Sequence, residues 1–141
     1  MQEFLPKVYY YVNEFNLSDL SKLRKNINII YRNYNNIDHL NNILKLKSFC
    51  KKANIKLYLS NNVKLSIKLG LSGVYIPSFN KKLNYCGFYN LPKNFKIIGS
   101  AHNLSEIRIK NQQGCKDILL SPIFKNDKSK KFLDIIKFNL I

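Results

Sequence analysis

The residues best suited to chemistry in this chain are few: Arg32, the run Ser60-Asn61-Asn62, the run Ser100-Ala101-His102-Asn103, and Ser121 followed by Lys125 and Lys128. Guanidinium, ammonium, hydroxyl and amide donors in this mixture suit an anionic small molecule, because each can donate to phosphate oxygens. Histidine is the side chain that changes charge near neutral pH, so His102 at a strand end is a candidate general acid or base, with helix-entry packing as its other reading. His39, one residue past Asp38 at a helix start, reads as an exposed residue. Cys50, Cys86 and Cys115 are odd in number and far apart, with no C-x-x-C and no histidine at zinc spacing. That pattern predicts free thiols in a reducing compartment, with neither a disulfide framework nor a metal site.

These groups have to be positioned by alternating strands and helices. Residues 7–12 are a β-branched and aromatic run, followed by Leu17, Leu20 and Leu23 at helical spacing. A second strand at 27–32 leads to a helix with Ile37, Leu40, Ile43, Leu44 and Phe49 on its buried side. The third strand, 55–59, ends at Ser60. Residues 63–71 alternate apolar and polar as a strand would, yet capping residues ahead, Gly70 behind and the buried-strand run Gly73-Val74-Tyr75-Ile76 favour a short helix. Residues 79–94, with Gly87 and Pro92, read as loop. The fifth strand, 95–101, meets the capping box Asn103-Leu104-Ser105-Glu106, in which Asn and Glu satisfy each other's backbone donors and a helix runs on to Gly114. A sixth strand at 117–120, a basic loop at 121–131 and a last helix with Phe132, Ile135, Ile136 and Leu140 on one face complete the pattern.

Strand-helix units repeating at intervals of about 20–25 residues require right-handed parallel crossovers. No glycine-rich phosphate loop follows the first strand, which disfavours a nucleotide-binding open sheet. The predicted fold is therefore α/β, a parallel (β/α) TIM-type barrel in one domain spanning 1–141, with about six of its eight units present. Such folds bind ligands where strands end and helices begin, which selects Arg32, Ser60 to Asn62, Pro77-Ser78, Ser100 to Asn103 and the residues from Ser121. A closed barrel takes eight strands, so the chain reads as truncated at its C-terminal side, or as an oligomer whose exposed sheet edges pair between copies.

The 141 residues carry 24 Lys+Arg against 8 Asp+Glu, for a net charge of +16, and 45% hydrophobic residues. The apolar fraction argues for a folded chain despite the charge. The lysines are dispersed and accompanied by abundant Asn and Ile, as an A+T-rich coding bias would produce, which argues against nucleic acid as the main partner and leaves anionic small molecules. The start MQEFLPKVYYYV has no basic-then-apolar leader, and no apolar run approaches the roughly 20 residues of a membrane span. The expectation is a cytoplasmic protein with no membrane partner.

Several strand ends recur in a recognisable order. Residues Val63 to Gly70 leading into Gly73-Val74-Tyr75-Ile76, then Ser100-Ala101-His102-Asn103, Glu106, Gly114 and Ser121-Pro122-Ile123-Phe124, resemble the thiamine-phosphate synthase/TenI family, with Ile30-Tyr31-Arg32-Asn33-Tyr34 at its Q-x-R-E-K position. The resemblance implies a barrel enzyme that joins a pyrimidine pyrophosphate to a thiazole phosphate and releases pyrophosphate with the help of magnesium. By it, Arg32 would hold pyrophosphate, Ser100 would face the substrate, and a lysine after Phe124, Lys125 or Lys128, would screen the leaving group. Ser60, Asn61 and Ser121 are ligand contacts expected from their strand-end positions, with helix capping as the other reading of Ser60 and Asn61. The family's two metal-binding aspartates fall on Asn61 and within Ser78-Phe79-Asn80, so the carboxylate ligands for Mg²⁺ are missing here. Two alternatives follow from the same residues: a TenI-like thiazole tautomerase using His102, and a non-catalytic protein that binds a phosphorylated ligand or a partner.

Overall fold

The computed structural model describes residues 8–23, 26–34 and 39–121. The apolar runs form strands and the capped segments between them form helices. The order is β1 (Val8–Val12), α1 (Leu17–Ser21), β2 (Ile27–Tyr31), α2 (His39–Ala53), β3 (Lys56–Ser60), α3 (Val63–Lys68), β4 (Gly73–Ile76), β5 (Lys96–Ala101), α4 (Leu104–Gln112) and β6 (Asp117–Leu120). The six strands make one sheet in sequence order, every neighbouring pair parallel, with Tyr10 opposite Ile29, Leu59 opposite Val74 and Gly99 opposite Ile118.

The sheet is curled. In a flat sheet β1 and β6 would lie five strand spacings apart, about 24 Å. Instead the Tyr9 hydroxyl of β1 donates to Asp117 Oδ2 of β6 at 2.5 Å, and Lys96 Nζ of β5 meets the same oxygen at 2.5 Å. Curling separates two faces. Ile30, Tyr58, Tyr75 and Ile98 cluster on the inner face with Tyr9 and Leu119. The alternate residues point outward, where Ile29, Tyr31, Leu57 and Leu59 pack against Leu20 and against Ile43, Leu46 and Cys50 of α2. Farther along the sheet Val74, Ile76 and Ile97 pack with Val63 and Cys86. At Gly73 a Cβ would lie 1.8 Å from the Lys96 carbonyl oxygen and 2.9 Å from the Tyr58 ring, so the close approach of β4 to β5 requires glycine there.

The helices test the sequence reading at three places. Residues 63–68 are helical despite their alternating pattern: the Asn62 side chain accepts from the Leu65 N–H at 3.0 Å, and Val63 and Ser66 are buried at helical spacing. In α2 the buried stripe is Ile43, Leu46 and Cys50, while Leu40 and Leu44 are 53% and 44% exposed, because they lie around the flank of the helix from that stripe. In α4 Asn103 caps as expected, accepting from the Glu106 N–H at 2.9 Å, but the Glu106 carboxylate accepts the His102 N–H at 2.6 Å, one residue earlier than a capping box would have it. The loop at 79–94 forms turns without strand or helix. Pro122-Ile123-Phe124, the basic loop and the last helix predicted beyond Ser121 lie outside the described residues. Among the described residues no helix is long and apolar enough to cross a membrane.

Candidate functional site

Parallel strands all end on one side of the sheet, so the tails of β1 to β6 bring Tyr11, Arg32, Ser60, Asn61, Ser100, His102 and Ser121 to the same rim. Three separate arrangements form there. The first runs across the inner face. Tyr11 donates to the Tyr75 hydroxyl at 3.3 Å, Tyr75 donates to Ser100 Oγ at 2.8 Å, and the backbone N–H of Ser78 donates to the same oxygen at 3.1 Å. Ser100 is buried and accepts twice, so its own hydroxyl proton is left to donate onward. At the other end of this relay the Arg32 guanidinium lies 4.4 Å above the Tyr11 ring. Burial, then the hydrogen bond to Tyr75, raises the Tyr11 phenol well above its ordinary value, so it is a donor throughout the physiological range. Among the described residues Arg32 has no carboxylate partner, and it lines a cleft of about 390 Å³ with Tyr11, Asn13 and Asn33.

The second arrangement joins the loops after β3 and β4. Asn61 turns the chain with φ 58°, and its side-chain oxygen accepts from Asn80 Nδ2 at 2.7 Å. The Asn80 carbonyl is held from below by two side chains of the α4 region: Lys110 Nζ at 2.8 Å and Gln113 Nε2 at 2.9 Å, with Lys110 also donating to Gln113 Oε1 at 2.8 Å. Lys110 is fully buried and its acceptors are neutral carbonyls, so desolvation lowers its pKa. Its stem passes over Gly99, where a Cβ would come within 2.7 Å of Lys110 Cδ. The sequence reading missed Lys110 and Gln113. The available signal was a lysine three residues after Ile107, on the face that α4 turns to the sheet.

The third arrangement contains His102, whose Nδ1 lies 2.5 Å from the Ser121 carbonyl oxygen. A carbonyl can only accept, so Nδ1 carries the proton and Nε2 of the neutral ring keeps its lone pair. Ser60 stands apart from all three, its buried hydroxyl without a partner among the described residues. Lys125 and Lys128 lie outside the described residues. His39 is half-buried with its ring 5.4 Å from that of Tyr31, a packing contact in place of the exposed position expected.

Of the two aspartate positions that the family resemblance assigns to magnesium, the first is Asn61 and the second falls within Ser78-Phe79-Asn80, whose Asn80 pairs with Asn61. Neither residue carries charge, and the Asn61 oxygen is already engaged by the Asn80 amide. Among the described residues no group of three or more His, Cys, Asp or Glu could hold a metal ion. These residues do not fit Mg²⁺, which requires hard, charged oxygen ligands. The thiols do not add a nucleophile: burial pushes Cys50 and Cys115 up to about 12 and Cys86 to about 11.

No family model and no curated protein matches the chain. A solved structure of thiamine phosphate pyrophosphorylase from Pyrococcus furiosus is similar to it with a TM-score of 0.63, over 86% of this chain and 62% of that one, at 13% sequence identity. The chain thus spans less than two thirds of that structure's length. At this identity the likeness is one of architecture, and it agrees with the curled parallel sheet: the chain has the fold of a parallel (β/α) barrel of the thiamine phosphate pyrophosphorylase kind, six of whose strands are described.

Proposed function

We propose that the chain binds a phosphorylated small molecule of the thiamine-precursor class at the carboxyl ends of its strands. The observation that carries this reading is the Arg32–Tyr11–Tyr75–Ser100 array, which sets a cation without a described carboxylate partner at one end and a donor hydroxyl at the other. A phosphate or pyrophosphate group seated there would meet Arg32, while Ser100 would donate to an acceptor on the organic part. The Ser60 hydroxyl offers a further polar contact on the same rim. The likeness in fold to a thiamine phosphate pyrophosphorylase supports this ligand class, because barrels bind ligands at this end.

The Asn61–Asn80 pair weighs against a magnesium-assisted release of pyrophosphate, in which metal and fixed charge must neutralise the departing group. A second reading, proton transfer on a bound thiazole phosphate, is favoured by His102: with Nδ1–H donated to the Ser121 carbonyl, Nε2 is a base of fixed orientation. Isothermal titration of the chain with the thiazole phosphate, with the pyrimidine pyrophosphate with and without magnesium, and with thiamine phosphate tests the site. Saturable binding of at least one, weakened by Arg32→Ala, is expected. Absence of binding by all of them would remove the reading.

A further inference from the structure

The amino ends of the strands, opposite the site above, form a cleft of about 690 Å³. Four lysines line it: Lys56 opens β3, Lys93 lies in the loop before β5, Lys96 opens β5 and Lys116 precedes β6. They are dispersed in sequence, but a parallel sheet gathers the first residues of all its strands on one rim. Lys56, Lys93 and Lys116 are exposed. Among the described residues the nearby carboxylate is Asp117, and it is already engaged by Lys96 and by the Tyr9 hydroxyl. Among the described residues the other three lysines have no acidic partner, so the cleft holds an excess of positive charge, which like-charge repulsion disfavours unless an anion offsets it. The half-buried ring of Phe95 also lines the cleft and offers apolar contact to a planar group, whereas Tyr58 is buried in the inner-face cluster.

We propose that this cleft is a second anion site, separate from the carboxyl-end site, that takes a small polyphosphate, either free or as the tail of a nucleotide. Inorganic tripolyphosphate and the nucleotide ATP share the chemistry the lysines recognise, and only ATP carries a planar group that can use the Phe95 ring.

The test is titration of the chain with tripolyphosphate and with ATP in metal-free buffer, for the wild type, for the triple variant Lys56→Gln/Lys93→Gln/Lys116→Gln and for Arg32→Ala. Both ligands are expected to bind the wild type saturably and to lose on the order of tenfold or more in the triple variant, as removal of three phosphate-neutralising charges should produce. Arg32→Ala should retain the affinity. Tighter binding of ATP would assign the site to a nucleotide, and equal binding to free polyphosphate. As a measurement on the unaltered chain, tripolyphosphate should protect Lys56, Lys93 and Lys116 from amine acylation while leaving Lys51 and Lys68 on the outer helices reactive. Unsaturable binding, unchanged affinity in the triple variant, or a loss confined to Arg32→Ala would overturn the proposal.

Discussion

Two tyrosines of β1, Tyr9 and Tyr11, point into the same interior and end in opposite environments. Tyr9 donates to Asp117, a carboxylate that also meets Lys96, so at the amino end the phenol is one arm of an ion-paired brace between the first strand and the last two described. Tyr11 donates to Tyr75, which donates in turn to Ser100, a neutral relay under a guanidinium. The first arrangement consumes its charges internally. The second leaves a cation and a hydroxyl proton over. One strand thereby supplies a fastening at one end of the sheet and a ligand surface at the other, two residues apart.

The comparison is broken most severely by Asp117→Ala, which takes a carboxylate from the half-buried Lys96 ammonium and removes the acceptor of Tyr9. Chemical denaturation should show a loss of about 3 kcal/mol, the low end for breaking a buried pair because both side chains keep some solvent contact. Arg32→Ala should act the other way round. Affinity for the phosphorylated ligand should fall by about 1.5–3 kcal/mol, while stability changes by less than about 0.5 kcal/mol because the side chain is exposed. If both quantities move together, Arg32 belongs to the scaffold. Ser100→Ala lies between the two extremes: it removes an acceptor shared by Tyr75 and the Ser78 N–H, and about 1 kcal/mol of stability should be lost. The smallest effect expected is that of Asn61→Asp, which should alter ligand affinity little in metal-free buffer and raise the dependence on Mg²⁺ above the slight dependence expected of the wild type. A wild type that already requires Mg²⁺ steeply would show that other groups bind it.

Alkaline titration sharpens the scaffold side of the comparison. The three thiols have pKa values raised in the fold from 9.0 to about 11 or 12. A raised folded value means stability that is complete below the unfolded value and lost as pH climbs through the folded one, so reduced protein should weaken from about pH 9 upward. Lys110 has the opposite sign: its folded value is lowered, so its contribution grows as pH rises from that lowered value toward 10.5. Comparison of Lys110→Met with the wild type across that window isolates it. The wild-type advantage, whatever its size, should increase with pH.

What could be read from the sequence was set by local physics. Runs such as Ile27 to Tyr31 and Gly73 to Ile76 are strands by composition, and Asn62 and Asn103 announce helices because an amide that accepts a backbone N–H is a local event. From those elements the parallel barrel fold and the rim carrying Arg32, Ser100 and His102 followed. The partners on that rim did not. That Asn61 would engage Asn80, or that Lys110 would be buried beneath the 79–94 loop, depends on how two loops meet over α4, and no periodicity encodes it. Residues 63–69 show the converse: their alternation favours a strand, and helix caps together with the next strand's claim on the sheet override it. Leu40 and Leu44 show the limit of counting apolar residues, since a helix buries a stripe and these two fall beside it.

The brace between Tyr9 and Asp117 also bears on the order of assembly. Each strand in this sheet pairs with the next in sequence, so the hydrogen-bonded ladder can grow along the chain by contacts of short separation, the kind that form fastest. The Tyr9–Asp117 contact spans 108 residues. During synthesis the first strand leaves the ribosome long before its partner exists, and its phenol must wait for the sixth. Adding that strand therefore also locks the first one, and the curvature of the whole sheet is fixed late, by a proton held between its two ends.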